Sequence, residues 1–329
     1  MKLATLKDGT RDGQLAVVAR DLKTAHLADG IAPTLQAALD DWAFIAPQLD
    51  ELSRQLNAGR CHRSFDFDPK NCMAPLPRAY QWTCAAAYVN QAELARRVLA
   101  TDSPLSDVLM YQGGGDNFRG PHDAIELAHA EWGIDFEAGL AAITDDVAMG
   151  ATADQSLARI RLLMLVNGVA LHNLIADELV KGFGFLHSRP APACSPVAVT
   201  PDELGDAWKG GKVHLPLRST WNGKLVGQAH AGVDMAFNFP QLIAHLAKSR
   251  TVRTGSIVGS GAVANRDARR GYSSIAEKRC LETNAGAVAL TPFMQFGDTI
   301  RIEMAGADGK SVFGAIEHGV LQGSIKRLN

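Results

Sequence analysis

The sequence has no long hydrophobic run. Its apolar stretches, such as Leu162 to Val166, fall far short of the roughly 20 residues a membrane-spanning helix requires, so no membrane is expected as a partner. Neither sign of charge is in excess: 33 Lys and Arg stand against 35 Asp and Glu, for a net charge of −2. Without a basic surplus there is no electrostatic footprint for phosphate backbones, and nucleic acid is not an expected partner. Cysteine is sparse. The five present (Cys61, Cys72, Cys84, Cys194 and Cys280) are scattered and form no C-x-x-C pair, which argues against a zinc knuckle or a redox motif. Reduced thiols in a cytoplasmic protein are the expectation. The start, Met-Lys-Leu-Ala-Thr-Leu-Lys-Asp-Gly, turns polar too soon for a secretory signal. There is no internal repeat and no low-complexity segment.

What the chain does have is length and periodic apolar residues. With 329 residues it can bury a generous core without disulfide or metal, and it has room for more than one domain. Residues 1–20 alternate and turn at Asp8-Gly9 and Asp12-Gly13, the pattern of a short hairpin. Leu35, Leu39, Trp42, Ile45, Leu49, Leu52 and Leu56 recur at helical spacing, which predicts one or two helices between Pro33 and Gly59. The Pro- and Asp-rich stretch from Phe65 to Pro77 marks a domain boundary, giving a small N-terminal α+β domain over 1–74 and a larger domain over 75–329. Further on, residues 91–99 read as a helix, and Tyr111 to Asp116 as a glycine-rich loop without the lysine of a phosphate cradle. Ile134 to Ile143 and Ile160 to Val166 read as strands, Asn173 to Lys181 as a helix stopped by Gly182, and Asn222-Gly223 as a hairpin turn. Pro240 to Lys248 reads as a helix, and the short apolar runs from Gly255 onward as an antiparallel sheet.

Several segments carry a family resemblance. They are Pro77-Arg78-Ala79-Tyr80-Gln81-Trp82, Trp132-Gly133-Ile134-Asp135-Phe136-Glu137-Ala138, Leu163-Met164-Leu165-Val166-Asn167 and Ser195-Pro196-Val197-Ala198-Val199-Thr200-Pro201-Asp202. Gly259-Ser260-Gly261, Gly271-Tyr272-Ser273-Ser274-Ile275-Ala276-Glu277-Lys278-Arg279 and Phe296-Gly297-Asp298-Thr299-Ile300 complete the set. Taken in order, they resemble the fumarylacetoacetate hydrolase family, in particular its bacterial members of this length. The resemblance implies an α+β fold, with a small N-terminal domain followed by a mixed β-roll, and a homodimer. It also implies C–C cleavage or rearrangement of diketo acids on a Mg²⁺, Ca²⁺ or Mn²⁺ ion. Such hard cations need several oxygen ligands, preferably anionic, at about 2.0–2.6 Å.

Carried over residue by residue, the resemblance leaves that site depleted. The family's Glu-x-Glu strand reads Glu137-Ala138-Gly139, its Asn-Asp reads Asn167-Gly168, and a further aspartate falls at Cys84. Glu137 is the only retained ligand position, so no family metal is expected to bind. The catalytic histidine falls at Gln91, its glutamate partner at Glu277, and the lysine at Arg189. A substrate-contacting glycine-threonine pair falls at Gly261-Ala262, an arginine at His172, and a tyrosine at Tyr111. Scaffold words kept beside a site lost in concert imply a repurposed cleft. The expected catalytic set is Glu277, Cys84, His172 and Gln91, although Gln91 cannot take a proton. The expected substrate-binding set is Tyr111, Arg189, Glu137, Gly261 and Ala262.

Each position also has a plainer reading. Cys84 is either a nucleophile beside an imidazole or a small buried hydrophobe. With Glu137 and His172 it is also the donor set of a softer ion such as Zn²⁺. Glu277 is either a general acid or base or the partner of Lys278 or Arg279, and Glu137 either faces substrate or is a residual buried acid. The leading expectation is metal-independent chemistry on a small keto or enol acid: C–C cleavage, tautomerisation, dehydration or cyclisation. The alternatives are a non-catalytic homologue that binds a small acid or an active paralogue, and an ordinary metal-dependent acylpyruvate hydrolase.

Overall fold

A computed structural model describes residues 1–98, 104, 106–284 and 288–323. Two sheets of a mixed α+β fold organise them. The larger has 11 strands. It begins with Phe65–Asp66, Thr24–Leu27, Gln14–Val18 and Lys2–Leu6, and crosses through Ala198–Val199 to the central strands Ile160–Asn167 and Ala138–Thr144. It ends with Ile257–Ala262, Trp82–Ala85 and Met110–Gly113, while Ala193–Cys194 pairs with Ile160–Asn167 off this path. The second sheet has 5 strands, in the order Lys224–His230, Pro216–Trp221, Thr299–Met304, Ile316–Gln322 and Ile125–Leu127. Because Lys2 and Leu3 pair with Val199 and Ala198, the N-terminal strands extend the sheet of the rest of the chain.

Local sequence explains many of these elements. Thr34 caps Leu35–Asp40 by accepting a hydrogen bond from the Ala37 N–H at 3.2 Å. The following helix, Trp42–Asn57, lays Ile45, Leu49 and Leu56 against Leu3, Leu15 and Val17 of the sheet. Burying each such side chain stabilises the fold by about 1.5–3 kcal/mol. At the hairpin of the second sheet, Asn222 and Gly223 adopt φ of 48° and 75°, the left-handed pair that a tight two-residue turn between twisted strands requires.

Three expectations are corrected. Tyr111 is not in a loop. It lies on Met110–Gly113, directly across from Cys84 on Trp82–Ala85. Gly113 permits that strand to lie close to Trp82, whose ring a Cβ at position 113 would meet at 2.5 Å. The Ile134 to Ile143 stretch breaks at Phe136 and Glu137, which lets Ile134–Asp135 pair with Ala170–Leu171 in a separate two-stranded sheet. The C-terminal region is not uniformly antiparallel. Ile257–Ala262 runs parallel to Trp82–Ala85, Ile316–Gln322 runs parallel to Ile125–Leu127, and a helix, Ile275–Asn284, intervenes. That helix is started from a distance. The Asp135 carboxylate accepts from the Ile275 and Ala276 N–H groups at 2.7 and 2.8 Å, a cap supplied across 140 residues that no local signal announces.

Candidate active site

The elements that meet at the break in the central sheet form a cavity of about 260 Å³. Cys84, Tyr111 and Gly261 reach it from strands, Gln91 from the helix Val89–Val98, and Glu137 from the strand break. His172 enters as the first residue of the helix His172–Lys181, and Arg189 from the segment that follows it. Leu94, Met110, Ile175 and Phe185 supply apolar wall. Seven of the sequence-predicted site residues therefore share one cleft. Glu277 and Ala262 do not line it. Ala262 is fully buried and pairs with Gly139, and Glu277 faces a neighbouring cavity beside Asn90, Glu93 and Cys280.

An ion pair dominates the cleft. Arg189 Nη1 lies 2.7 Å from Glu137 Oε2, with both side chains largely buried at 14% and 5% exposure. The guanidinium is flanked by the Tyr111 and Phe185 rings, 4.9 and 5.6 Å from their centroids, and those rings meet edge to face at 5.7 Å. Burial alone would lower the guanidinium pKa, but the charge of Glu137 outweighs it and the pKa is raised. Nη1 faces the Glu137 carboxylate, and among the described residues the buried Nε–H has no acceptor. Buried donors of this kind call for a partner, and a carboxylate or enolate oxygen in the cleft would supply one.

Cys84 is not poised as a nucleophile. Burial, and after it the negative Glu137, push its thiol up to about 12, so it is neutral at physiological pH, whereas the thiolate is the reactive form. Tyr111, opposite it, is raised well above the ordinary phenol range by burial and then by Cys84.

His172 is the imidazole of the cleft. Its Nε2 lies 3.0 Å from Asp135 Oδ2, and Asp135 is fully buried. A carboxylate only accepts, so Nε2 carries a hydrogen and Nδ1 is the ring's other nitrogen. Among the described residues Nδ1 has no hydrogen-bond partner. The imidazole stacks on Phe293, 5.2 Å between centroids and 8° from parallel, and Arg279 covers the other end of the stack at 4.6 Å from the Phe293 centroid. The sequence reading missed Asp135. It stood inside the word Trp132 to Ala138 as scaffold, and the available signal was a buried acid on the strand that leads into Glu137.

The residues present do not fit a hard divalent cation. Glu137, the one acid that lines the cleft among the described residues, is already matched by Arg189. A side chain at Gly139 is sterically barred, because its Cβ would sit 2.3 Å from the Gly261 carbonyl oxygen. Gly168 has room, with its Cβ position 3.5 Å from Glu137 Oε2, but it offers no ligand. Of the donor set for a softer ion, Cys84, Glu137 and His172 all line the cleft, but Glu137 is matched by Arg189. Among the described residues no group of three His, Cys, Asp or Glu is placed to hold a metal.

Glu277 is buried, and its Oε2 accepts the Ser273 N–H at 3.2 Å. It pairs with neither Lys278 nor Arg279; Lys278 instead meets Glu282 at 3.4 Å. Burial first, and Asp135 more weakly, raise its carboxyl to about 8 despite the Ser273 hydrogen bond.

Comparison with known proteins follows the same outline. The family model for the fumarylacetoacetase N-terminal domain 2 matches residues 1–78, and that for the fumarylacetoacetate (FAA) hydrolase C-terminal matches residues 82–321. No curated protein matches the chain. Among solved structures, a maleylpyruvate hydrolase from Sphingobium sp. SYK-6 in complex with manganese(II) and pyruvate is 15% identical, with 98% of this chain and 100% of that one covered at a TM-score of 0.65. A fumarylacetoacetate hydrolase from Exiguobacterium antarcticum is 16% identical at the same coverages, 98% and 100%, and a TM-score of 0.65. A probable 2-hydroxyhepta-2,4-diene-1,7-dioate isomerase from Mycobacterium abscessus gives 16%, 98%, 100% and 0.65. At these identities the likeness is one of fold. Among the described residues, no helix is long and apolar enough to cross a membrane.

Two outcomes follow from these pKa shifts. Iodoacetamide at about pH 8 should leave Cys84 unmodified in the folded protein while labelling the more exposed Cys61. Rapid labelling that disappears in Cys84→Ser would restore the nucleophile. For Glu277 the folded pKa lies above the ordinary carboxyl value, so its contribution to stability is complete below about pH 4 and is lost as pH rises through about 8. Glu277→Gln cannot ionise. Its melting temperature relative to the parent protein should therefore rise between about pH 5 and pH 9, and a pH-independent difference would contradict the buried, neutral carboxyl.

Proposed function

Because the chain belongs to the fumarylacetoacetate hydrolase family, whose C-terminal model covers residues 82–321, we propose that its cleft binds a small keto or enol acid and moves a proton on it without a divalent metal. The observation that carries this reading is the Glu137–Arg189 pair, in which a guanidinium stands 2.7 Å from the one carboxylate that lines the cleft among the described residues and keeps its buried Nε–H unspent. The acid end of the ligand accepts from the guanidinium. Tyr111 and Phe185 flank the guanidinium and keep water from it, which strengthens the attraction.

Tautomerisation is the reaction that this set of groups serves most directly. His172 Nδ1, with its ring oriented by Asp135, removes a proton from the carbon next to the keto group. The electron pair moves onto the keto oxygen, and Arg189 stabilises the enolate. The proton then returns from His172 to oxygen or to carbon, so no atom is gained or lost. Glu137 holds the guanidinium in place, and Gln91 can orient a polar group of the ligand but cannot exchange a proton with it. C–C hydrolysis would need an activated water and a cation for which no ligand set remains. The family fold is compatible with either chemistry, since its solved relatives include proteins described as hydrolases and others described as isomerases. The reading includes a homodimer, as for the family.

A second reading, a homologue that binds the acid without turning it over, draws on the neutral Cys84 and on Glu277 standing outside the cleft. One experiment separates the readings. Pyruvate in D₂O is followed by proton NMR with the protein and excess EDTA. The proposal expects deuterium to enter the methyl group at a rate that falls by about 100-fold or more in His172→Gln. Exchange that appears only when Mg²⁺ or Mn²⁺ is added would return the protein to metal-dependent chemistry. Binding with no exchange under any condition would make it a binder.

A further inference from the structure

We infer that Glu178 is a positioning residue for the cleft: its buried carboxylate gathers the backbone of Leu186, His187 and Ser188 and thereby sets where Arg189 stands relative to His172. The inference rests on the reading above, in which those two residues serve the ligand. Both sit at ends of one excursion of the chain. The helix His172–Lys181 starts at the cleft, Gly182 ends it in the left-handed conformation at φ 73°, and Gly184 turns the chain again at φ 86°. The returning segment brings Phe185 and Arg189 back to the cleft wall.

Apolar packing holds that segment at Phe185, against Tyr111, but little elsewhere. Val180, Phe183 and Leu186 are 90%, 98% and 74% exposed. Glu178, by contrast, is only 6% exposed. Its Oε1 accepts from the His187 N–H at 2.5 Å, and both oxygens lie 3.1 Å from the Leu186 nitrogen. Its Oε2 accepts from the Ser188 N–H at 3.2 Å and from the Ser188 hydroxyl. Hydrogen bonds to an ionised acceptor are roughly twice as strong as neutral ones, and here they converge on the residues just before Arg189. The Ser188 carbonyl in turn accepts the Leu171 N–H at 2.9 Å. The segment is thus fastened both to the helix that begins with His172 and to Leu171 just before it.

A double-mutant cycle on the full chain tests this. Pyruvate affinity is measured by calorimetry for the parent protein, Glu178→Gln, Arg189→Met and the double variant. Backbone hydrogen exchange at Leu186, His187 and Ser188 is read in the same proteins without ligand. Glutamine keeps the size but turns an N–H₂ toward donors, so Glu178→Gln should weaken binding by about tenfold and add nothing once Arg189 is gone. The three amides should exchange faster in that variant than in the parent. Ser188→Ala, which loses only the hydroxyl bond, should fall between the two and serves if Glu178→Gln does not fold. Fully additive losses, or unchanged affinity with fast exchange, would overturn the positioning role, and unchanged exchange would overturn the latch itself. If the parent protein does not bind pyruvate, the ligand reading fails, and the exchange data still decide whether Glu178 holds the segment.

Discussion

A buried charge tolerates no vacancy opposite it. Glu137 lies at the break of the central sheet, where water is largely excluded, and an unpaired carboxylate there would cost several kcal/mol. Something positive has to stand beside it. In this chain that partner is the Arg189 guanidinium, covalently part of the protein and always charged. In the proposed reading, an arginine in that role leaves a divalent cation unneeded for neutrality and repelled. The rest of the cleft is consistent with a single fixed cation. Cys84 and Tyr111 stay protonated in the same low-dielectric pocket, and the two glycines at 139 and 168 bring no further negative charge.

Asp135 solves a second problem of burial. Its carboxylate is fully enclosed, yet both oxygens are used: they cap the helix Ile275–Asn284 and fix His172. Stability and the orientation of the imidazole are thereby tied to one side chain. The chemistry of the cleft is consequently not separable from the packing of the C-terminal helix, and the loss of Asp135 would disturb both.

Much of this was legible in the sequence, though by different routes. The Asn222-Gly223 turn and the stripe from Ile45 to Leu56 are local signals, and the chain folds there as local rules require. The assembly of Cys84, Gln91, Tyr111, Glu137, His172, Arg189 and Gly261 into one cavity came from the family resemblance, because residues so far apart in sequence carry no common period. What escaped was set by tertiary contacts. The Tyr111 strand forms because Cys84 and its neighbours offer a partner edge, and the helix after Ser274 starts because Asp135 reaches it from the other side of the fold. The position of Glu277 escaped for the same reason: it turns with that helix toward Asn90 and Cys280 and away from Arg189.

The central claim is that Arg189 occupies, electrostatically, the place of a divalent ion beside Glu137. Calorimetric titration of the purified protein with Mg²⁺ and with Mn²⁺ tests it most directly. The account predicts no saturable heat up to millimolar metal. Micromolar binding that is abolished by Glu137→Gln would contradict it.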